Sequence, residues 1–139
     1  MNKSTFPVDG GFDHKERVKR PLIMIVEEHP ESRELLRYVL EQEGYKVLLM
    51  QTGEQALRWL EFTSPNLILM DIQYSATDLS CLQQIHERVR SKEVPILLTT
   101  GDARPILQEQ LQAEGYSELF IKPLEIEELT QALGQHFSC

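Results

Sequence analysis

Short apolar runs separated by segments of helical period are the feature that most constrains the fold of this chain. Four of the five runs are almost continuously apolar, which is typical of parallel strands that helices cover on both faces. The runs are LIMIV (22–26), VLLM (47–50), NLILM (66–70), PILLTT (95–100) and ELFI (118–121). Because strand and helix patterns alternate, the sequence predicts an α/β fold built from five βα repeats around a parallel sheet.

Each segment between the runs carries apolar residues three and four positions apart, which predicts one amphipathic helix after each strand. The first helix is expected over Glu31–Glu43, because Pro30 suits a first helical turn and Gly44 suits a helix stop. The other four helices are predicted at residues 53–62, 79–90, 105–114 and 125–136. Residues 21–139 are therefore predicted to form one domain, whose output passes through contacts with other proteins.

Charge is distributed unevenly along the chain. Residues 1–20 contain five Lys/Arg and three Asp/Glu and show no apolar period, so we interpret them as a flexible N-terminal arm. The whole chain has a net charge of −8, so residues 21–139 have a net charge of −10. Because an acidic domain repels a phosphate backbone, this charge argues against direct nucleic-acid binding.

Other bulk features indicate a cytoplasmic protein. No apolar run approaches the roughly 20 residues that a transmembrane helix needs, and the N-terminus does not follow the order of a secretory signal. Two cysteines, Cys81 and Cys139, are too few for a disulfide framework. Because Cys139 is the last residue, its thiol could join two chains, so the sequence is compatible with a homodimer.

Polar side chains stand at the ends of four of the five predicted strands. Because ligands bind at the carboxyl edge of an open parallel sheet, these side chains are expected to share one crevice. They are Glu27 and Glu28 after the first run, Asp71 after the third, Thr100 at the end of the fourth and Lys122 after the fifth. Carboxylates can hold Mg²⁺ or act as nucleophiles, and an amine and a hydroxyl can bind phosphoryl oxygens. Any one of these residues could simply face solvent, but their joint occurrence predicts a metal-assisted phosphoryl site.

These residues, in this order, resemble the response-regulator receiver domain of two-component signalling over about residues 22–137. The resemblance implies a doubly wound (βα)5 flavodoxin-like sandwich with a five-stranded parallel sheet in the order 2-1-3-4-5. It also implies a signalling domain rather than an enzyme, which takes its phosphoryl group from a sensor histidine kinase or a phosphotransfer protein. The motifs that carry the resemblance are VEEHP (26–30), NLILMDI (66–72), VPILLTTG (94–101) and Lys122-Pro123, together with Gly44-Tyr45 and GEQAL (53–57).

The resemblance also implies a role for each polar residue. Asp71 corresponds to the phosphoacceptor, Thr100 to the residue that binds the phosphoryl group, and Lys122 to the amine that pairs with that group. The Lys122-Pro123 peptide bond corresponds to one that is cis in the family. Mg²⁺ is the implied cofactor, and the residues around it would be Glu28, Asp71, the Gln73 carbonyl and, indirectly, Glu27.

The sequence departs from the family pattern at several of its functional positions. Glutamates replace the aspartates that are usual in the acidic pair, and Ser75 and Leu79 replace a Pro and a Gly in the loop after Asp71. Leu119 replaces the aromatic residue that couples to the threonine of the switch. The adjacent Phe120 is expected to point into the core, because neighbouring residues of a strand face opposite sides.

The sequence therefore leaves two alternatives to a receiver that is phosphorylated. The departures favour a pseudo-receiver, which is not phosphorylated and serves as a protein interaction module. A flavodoxin-like mononucleotide binder would share the doubly wound fold. It would need a phosphate-binding loop after the first strand, where Glu27 and Glu28 would repel the phosphate.

Overall fold

A computed structural model of the chain describes residues 20–73, 75–112 and 115–137. It contains one five-stranded parallel sheet in the order β2-β1-β3-β4-β5, which confirms the predicted fold class and strand order. The predicted arm, apart from Arg20, and the terminal Cys139 lie outside the described residues. The strands are β1 (Leu22–Val26), β2 (Lys46–Met50), β3 (Leu67–Asp71), β4 (Ile96–Thr100) and β5 (Glu118–Ile121).

Helices follow the strands as predicted, and the differences are in where they begin and end. They are α1 (Pro30–Gln42), α2 (Gly53–Trp59), α3 (Ala76–Val89), α4 (Pro105–Gln112) and α5 (Ile126–Phe137), with a short 3₁₀ turn at Arg90–Lys92 after α3. Helix α2 therefore ends three residues before the predicted boundary at 62. No described helix is both long enough and apolar enough to cross a membrane.

The start of α3 also differs from the sequence-based prediction by three residues. Ser75 caps the helix, since its hydroxyl accepts a hydrogen bond from the Asp78 amide at 3.0 Å. Helix α3 therefore begins at Ala76 and not near Leu79. As a result, Leu79 lies in the first turn of α3 and not in the loop after Asp71, where the resemblance implied that it lies.

The sheet separates two hydrophobic cores, one under α1 and α5 and the other under α2, α3 and α4. Side chains alternate between the two faces along each strand, so both faces need apolar residues, which explains the continuous apolar runs. Phe120 is buried in the first core, as predicted, whereas Leu119 packs against the second. The first core includes Ile23, Ile25, Leu36, Leu69, Leu97 and Leu133, and the second includes Met24, Ala56, Met70, Leu82, Leu98 and Leu111.

The contact between α2 and α3 leaves no room for a side chain at Gly53. A Cβ atom there would lie 2.7 Å from the Cβ of Cys81, whereas a Cβ at Gly134 in α5 would meet nothing within 4 Å. We expect Gly53→Ala to lower the free energy of unfolding by about 1–3 kcal/mol through overpacking. Gly134→Ala should raise it by about 0.5–1 kcal/mol through helix propensity.

Urea unfolding of the two glycine variants, followed by circular dichroism, measures this difference. Equal stabilities would contradict the packing that the structure gives to Gly53. Gly134→Ala is the control for the added methyl group, because a Cβ atom at that position meets open space.

Candidate functional site

The carboxyl edge of the sheet brings together the side chains of Glu27, Asp71 and Lys122. The Lys122 Nζ lies 3.0 Å from Asp71 Oδ1 and 3.3 Å from Glu27 Oε1. The two carboxylates are almost inaccessible, with side-chain exposures of 2% for Glu27 and 7% for Asp71, while that of Lys122 is 29%. Three residues that are far apart in the sequence therefore form one buried charge cluster, as expected for side chains at the carboxyl ends of β1, β3 and β5.

Burial and mutual charge perturb the ionisation of this cluster. Burial is the main cause that raises the pKa of Asp71 above its ordinary value of 3.8; the hydrogen bond from Lys122 opposes it, and the charge of Glu27 adds to it. Burial alone would lower the pKa of Lys122, but Asp71 and Glu27 outweigh burial and raise that pKa above 10.5. The amine is therefore protonated at neutral pH and is the counterion of both carboxylates.

Glu27 is held in place by the first turn of α1. Its Oε2 accepts a hydrogen bond from the His29 amide at 3.1 Å and lies 3.1 Å from His29 Nδ1. The Arg33 guanidinium donates to the backbone carbonyls of Glu27 and Glu28 at 2.9 and 3.2 Å. Neither His29 nor Arg33 was predicted to belong to the site, although both lie within six residues of the acidic pair.

Glu28 lies on a different side of Asp71 from Glu27. It lines a cavity of about 130 Å³ together with Asp71 and Gln73, whereas Glu27 lines a separate pocket with Thr99 and Lys122. The loop that carries Gln73 is fixed by α3, since the Gln73 amide donates to Asp78 Oδ2 at 2.7 Å. The two adjacent glutamates therefore have different surroundings, and Glu28 shares a cavity with Asp71 and Gln73, the other two residues predicted to bind the metal directly.

Two sets of donors could hold a metal ion. In one, the ligand atoms of Glu27, His29 and Asp71 all lie within 4.8 Å of one another. However, the Lys122 ammonium contacts two of these carboxylates, so a dication there would meet a like charge. The other set is Glu28, Asp71 and Gln73, whose oxygen donors suit a hard cation such as Mg²⁺.

The two threonines at the end of β4 have different partners. Thr100, the predicted phosphoryl-binding residue, is buried and its hydroxyl accepts a hydrogen bond from the Asp102 amide at 3.1 Å. Thr99 instead donates to Asp71 Oδ1 at 3.1 Å. Thr99 was missed because the resemblance implied a role for Thr100 and none for Thr99, although a parallel register that pairs Asp71 with Thr99 would have indicated it.

Asp71→Asn is expected to raise the melting temperature at pH 7 by a few degrees when metal ions are removed with EDTA. Since the pKa of Asp71 is higher in the folded protein than in the unfolded chain, its ionisation costs stability above the folded-state pKa. This cost disappears as the pH falls towards roughly 4, near the unfolded pKa. The advantage of the variant should therefore shrink on acidification, which differential scanning calorimetry measures.

Asp102→Asn is the matched control for this pH dependence. Hydrogen bonds from Arg104 lower the pKa of Asp102, so its charge favours the folded state at pH 7 and its contribution is lost as the pH falls. The control should therefore change stability slightly in the opposite direction. An Asp71→Asn protein that melts below the wild type at pH 7 would contradict the unfavourable burial of the Asp71 charge.

The Lys122-Pro123 peptide bond is cis, as the resemblance implied. Leu119, at the position of the family's switch aromatic, is partly buried and packs against the core under α2, α3 and α4. The site thus contains the acidic, threonine and lysine residues that the resemblance implied, and residue 119 carries no aromatic ring.

A family model described as the response regulator receiver domain matches residues 23–134. The chain is 25% identical over 115 residues to the polar-differentiation response regulator DivK of Brucella ovis, covering 82% of this chain and 94% of DivK. It is 30% identical over 112 residues to the signal transduction histidine-protein kinase BarA of Escherichia coli, covering 80% of this chain but only 12% of the kinase. Among solved structures, it is similar to the receiver domain of a Pseudomonas aeruginosa sensor histidine kinase, with 27% identity, a TM-score of 0.75 and coverages of 87% and 100%. That structure has a magnesium ion coordinated in its active-site cleft.

Proposed function

This chain belongs to the response regulator receiver family, and from that premise we propose that it accepts a phosphoryl group on Asp71 and signals through protein contacts. The observation that carries the proposal is the contact of the Lys122 ammonium with both Asp71 and Glu27 at the carboxyl edge of the sheet. The donor would be a phosphohistidine of a sensor histidine kinase or a phosphotransfer protein. The proposal includes a cytoplasmic location. It also includes no direct binding of nucleic acid, in keeping with a net charge of −10 over residues 21–139.

In the proposed reaction, one oxygen of the Asp71 carboxylate attacks phosphorus in line with the leaving group. The new bond joins phosphorus to that oxygen, and the bond from phosphorus to the donor imidazole breaks, leaving its electron pair on the imidazole. Lys122 neutralises negative charge on the carboxylate and on the phosphoryl oxygens. Thr100 would exchange its contact with the Asp102 amide for one with a phosphoryl oxygen, which gives the domain a way to report phosphorylation.

Mg²⁺ is the proposed cofactor, and the residues present fit it. Glu28, Asp71 and the Gln73 carbonyl would hold the ion, since these three residues share one cavity. Glu27 would act indirectly, because Lys122 and His29 already occupy its carboxylate. When bound, the ion would supply positive charge to the transferring phosphoryl group.

Incubation with acetyl phosphate and MgCl₂ tests the proposal directly. Intact-mass spectrometry should detect the addition of one phosphoryl group to the wild type, and none to Asp71→Asn. Asp102→Asn is the control, because it removes another carboxylate near the site whose side-chain partner is Arg104 and not Lys122. A wild-type protein that gains no phosphoryl group would rule out the proposed function.

A second candidate function is a pseudo-receiver that acts as an interaction module without phosphorylation. Leu119 favours this function, because it packs against the core and is not aromatic. A change at Thr100 would therefore have no aromatic side chain at that position to move. In this case a partner captured by the wild type should bind equally well to Asp71→Asn. Binding that changes on addition of acetyl phosphate to the wild type, and does not change for the variant, would exclude it.

A further inference from the structure

We propose that the Thr99 hydroxyl determines which oxygen of Asp71 is phosphorylated and shortens the lifetime of the acyl phosphate. This inference rests on the proposed function, because it concerns the chemistry of the same carboxylate. Its basis is the 3.1 Å hydrogen bond from Thr99 Oγ1 to Asp71 Oδ1, which involves a residue outside the predicted site.

The backbone fixes the position of this hydroxyl. Thr99 is only 3% exposed and is the register partner of Asp71 between β3 and β4. The Ile72 amide, directly after Asp71, donates to the Thr99 carbonyl at 2.8 Å. The hydrogen bonds of the sheet fix the main chains of β3 and β4 at Asp71 and Thr99. The Thr99 hydroxyl therefore stays within hydrogen-bond distance of the carboxylate and needs no reorganisation when the reaction occurs.

The two oxygens of Asp71 have different surroundings. Thr99 and Lys122 both contact Oδ1, at 3.1 and 3.0 Å. Within residues 20–73, 75–112 and 115–137, Oδ2 has neither a hydrogen bond nor an ion pair. Oδ2 is therefore the better nucleophile of the two oxygens.

Phosphorylation on Oδ2 changes the strength of the Thr99 hydrogen bond. In the carboxylate, Oδ1 carries part of the negative charge, whereas in the acyl phosphate it is the neutral carbonyl oxygen. A hydrogen bond to a charged acceptor is roughly twice as strong as one to a neutral acceptor. Thr99 therefore stabilises the unphosphorylated state more than the phosphorylated one.

Hydrolysis of the acyl phosphate restores the negative charge on Asp71 Oδ1. Water attacks phosphorus, the bond between phosphorus and Oδ2 breaks, and its electron pair goes back to the carboxylate, while the water proton leaves to solvent. Negative charge reappears on Oδ1 in the transition state, so the Thr99 hydrogen bond strengthens as the bond breaks. Thr99 should accordingly accelerate hydrolysis and slow phosphorylation.

The test compares Thr99→Val, which has nearly the same shape but no hydroxyl, with Thr99→Ser, which keeps the hydroxyl. Each protein is phosphorylated with acetyl phosphate and MgCl₂, the acetyl phosphate is removed, and decay of the adduct is followed by intact mass. We expect the Val variant to hold its phosphoryl group roughly three to ten times longer than the wild type and to acquire it faster. The Ser variant should behave like the wild type.

A second readout does not depend on phosphorylation. The ¹³C resonance of the Asp71 carboxyl carbon in the unphosphorylated protein should move in Thr99→Val and stay near the wild-type position in Thr99→Ser. Equal lifetimes in wild type and Val variant, or a Ser variant that matches Val, would overturn the role of Thr99 and leave the proposed function intact. If the wild type gains no adduct, both proposals fail, and the resonance then reports only whether Thr99 holds Oδ1.

Discussion

Lys122→Met should slow phosphoryl transfer to Asp71 by about 100-fold, because the only cation in contact with both buried carboxylates among the described residues is removed. The variant should also lose about 2 kcal/mol of unfolding free energy. Removing one partner of a buried ion pair leaves an uncompensated charge, and the partial exposure of Lys122 reduces that cost. The transfer rate is measured with acetyl phosphate and the stability by urea unfolding.

Lys92→Met is the matched control for the loss of one lysine. Lys92 donates a 2.7 Å hydrogen bond to the Ser64 hydroxyl, and the two residues precede β4 and β3, at the edge of the sheet opposite the site, so removal of Lys92 should leave transfer unchanged. Adding Glu27→Gln to Lys122→Met should recover part of the stability, because only one buried carboxylate then remains. If Lys122→Met were as fast and as stable as the control, the charge cluster would not be the basis of the site.

Glu28→Gln should weaken Mg²⁺ binding roughly tenfold or more, while Glu27→Gln should weaken it clearly less. Glu28 shares the cavity with Asp71 and Gln73, whereas the Glu27 carboxylate is already engaged by Lys122 and His29. Isothermal titration of each variant with MgCl₂ measures the two affinities. The phosphorylation rate at limiting Mg²⁺ should follow the same order.

Glu31→Gln provides the control for these two substitutions, since it makes the same change of charge on the exposed first turn of α1. It should leave Mg²⁺ affinity nearly unchanged. The opposite order, with the larger loss in Glu27→Gln, would reject the Glu28 assignment. It would place the ion instead among Glu27, His29 and Asp71, whose ligand atoms lie within 4.8 Å of one another.

The repeat pattern was sufficient to predict all five strands, because strands covered on both faces require continuous apolar runs and these are visible in the sequence. Helix ends were predicted less well where a polar cap decided them. Helix α3 begins at Ala76 because the Ser75 hydroxyl binds the Asp78 amide, and nothing in the apolar period of the helix signals that contact. Helix α2 likewise ends before the apolar pattern does, with Trp59 and Phe62 left exposed.

By itself, the sequence determined the α/β fold and the residues that reach the carboxyl edge of the sheet, since both depend on period and on position after a strand. Only the tertiary structure showed that residues adjacent in the chain have different partners. Glu27 turns to Lys122 while Glu28 lines the other cavity, and Thr99 contacts Asp71 while Thr100 binds the Asp102 amide. Thr99 and Thr100 are adjacent residues of β4, so their side chains face opposite sides of the sheet, whereas Glu27 and Glu28 lie just after β1, where the chain turns towards α1. Each member of a pair therefore meets different partners from distant strands and helices.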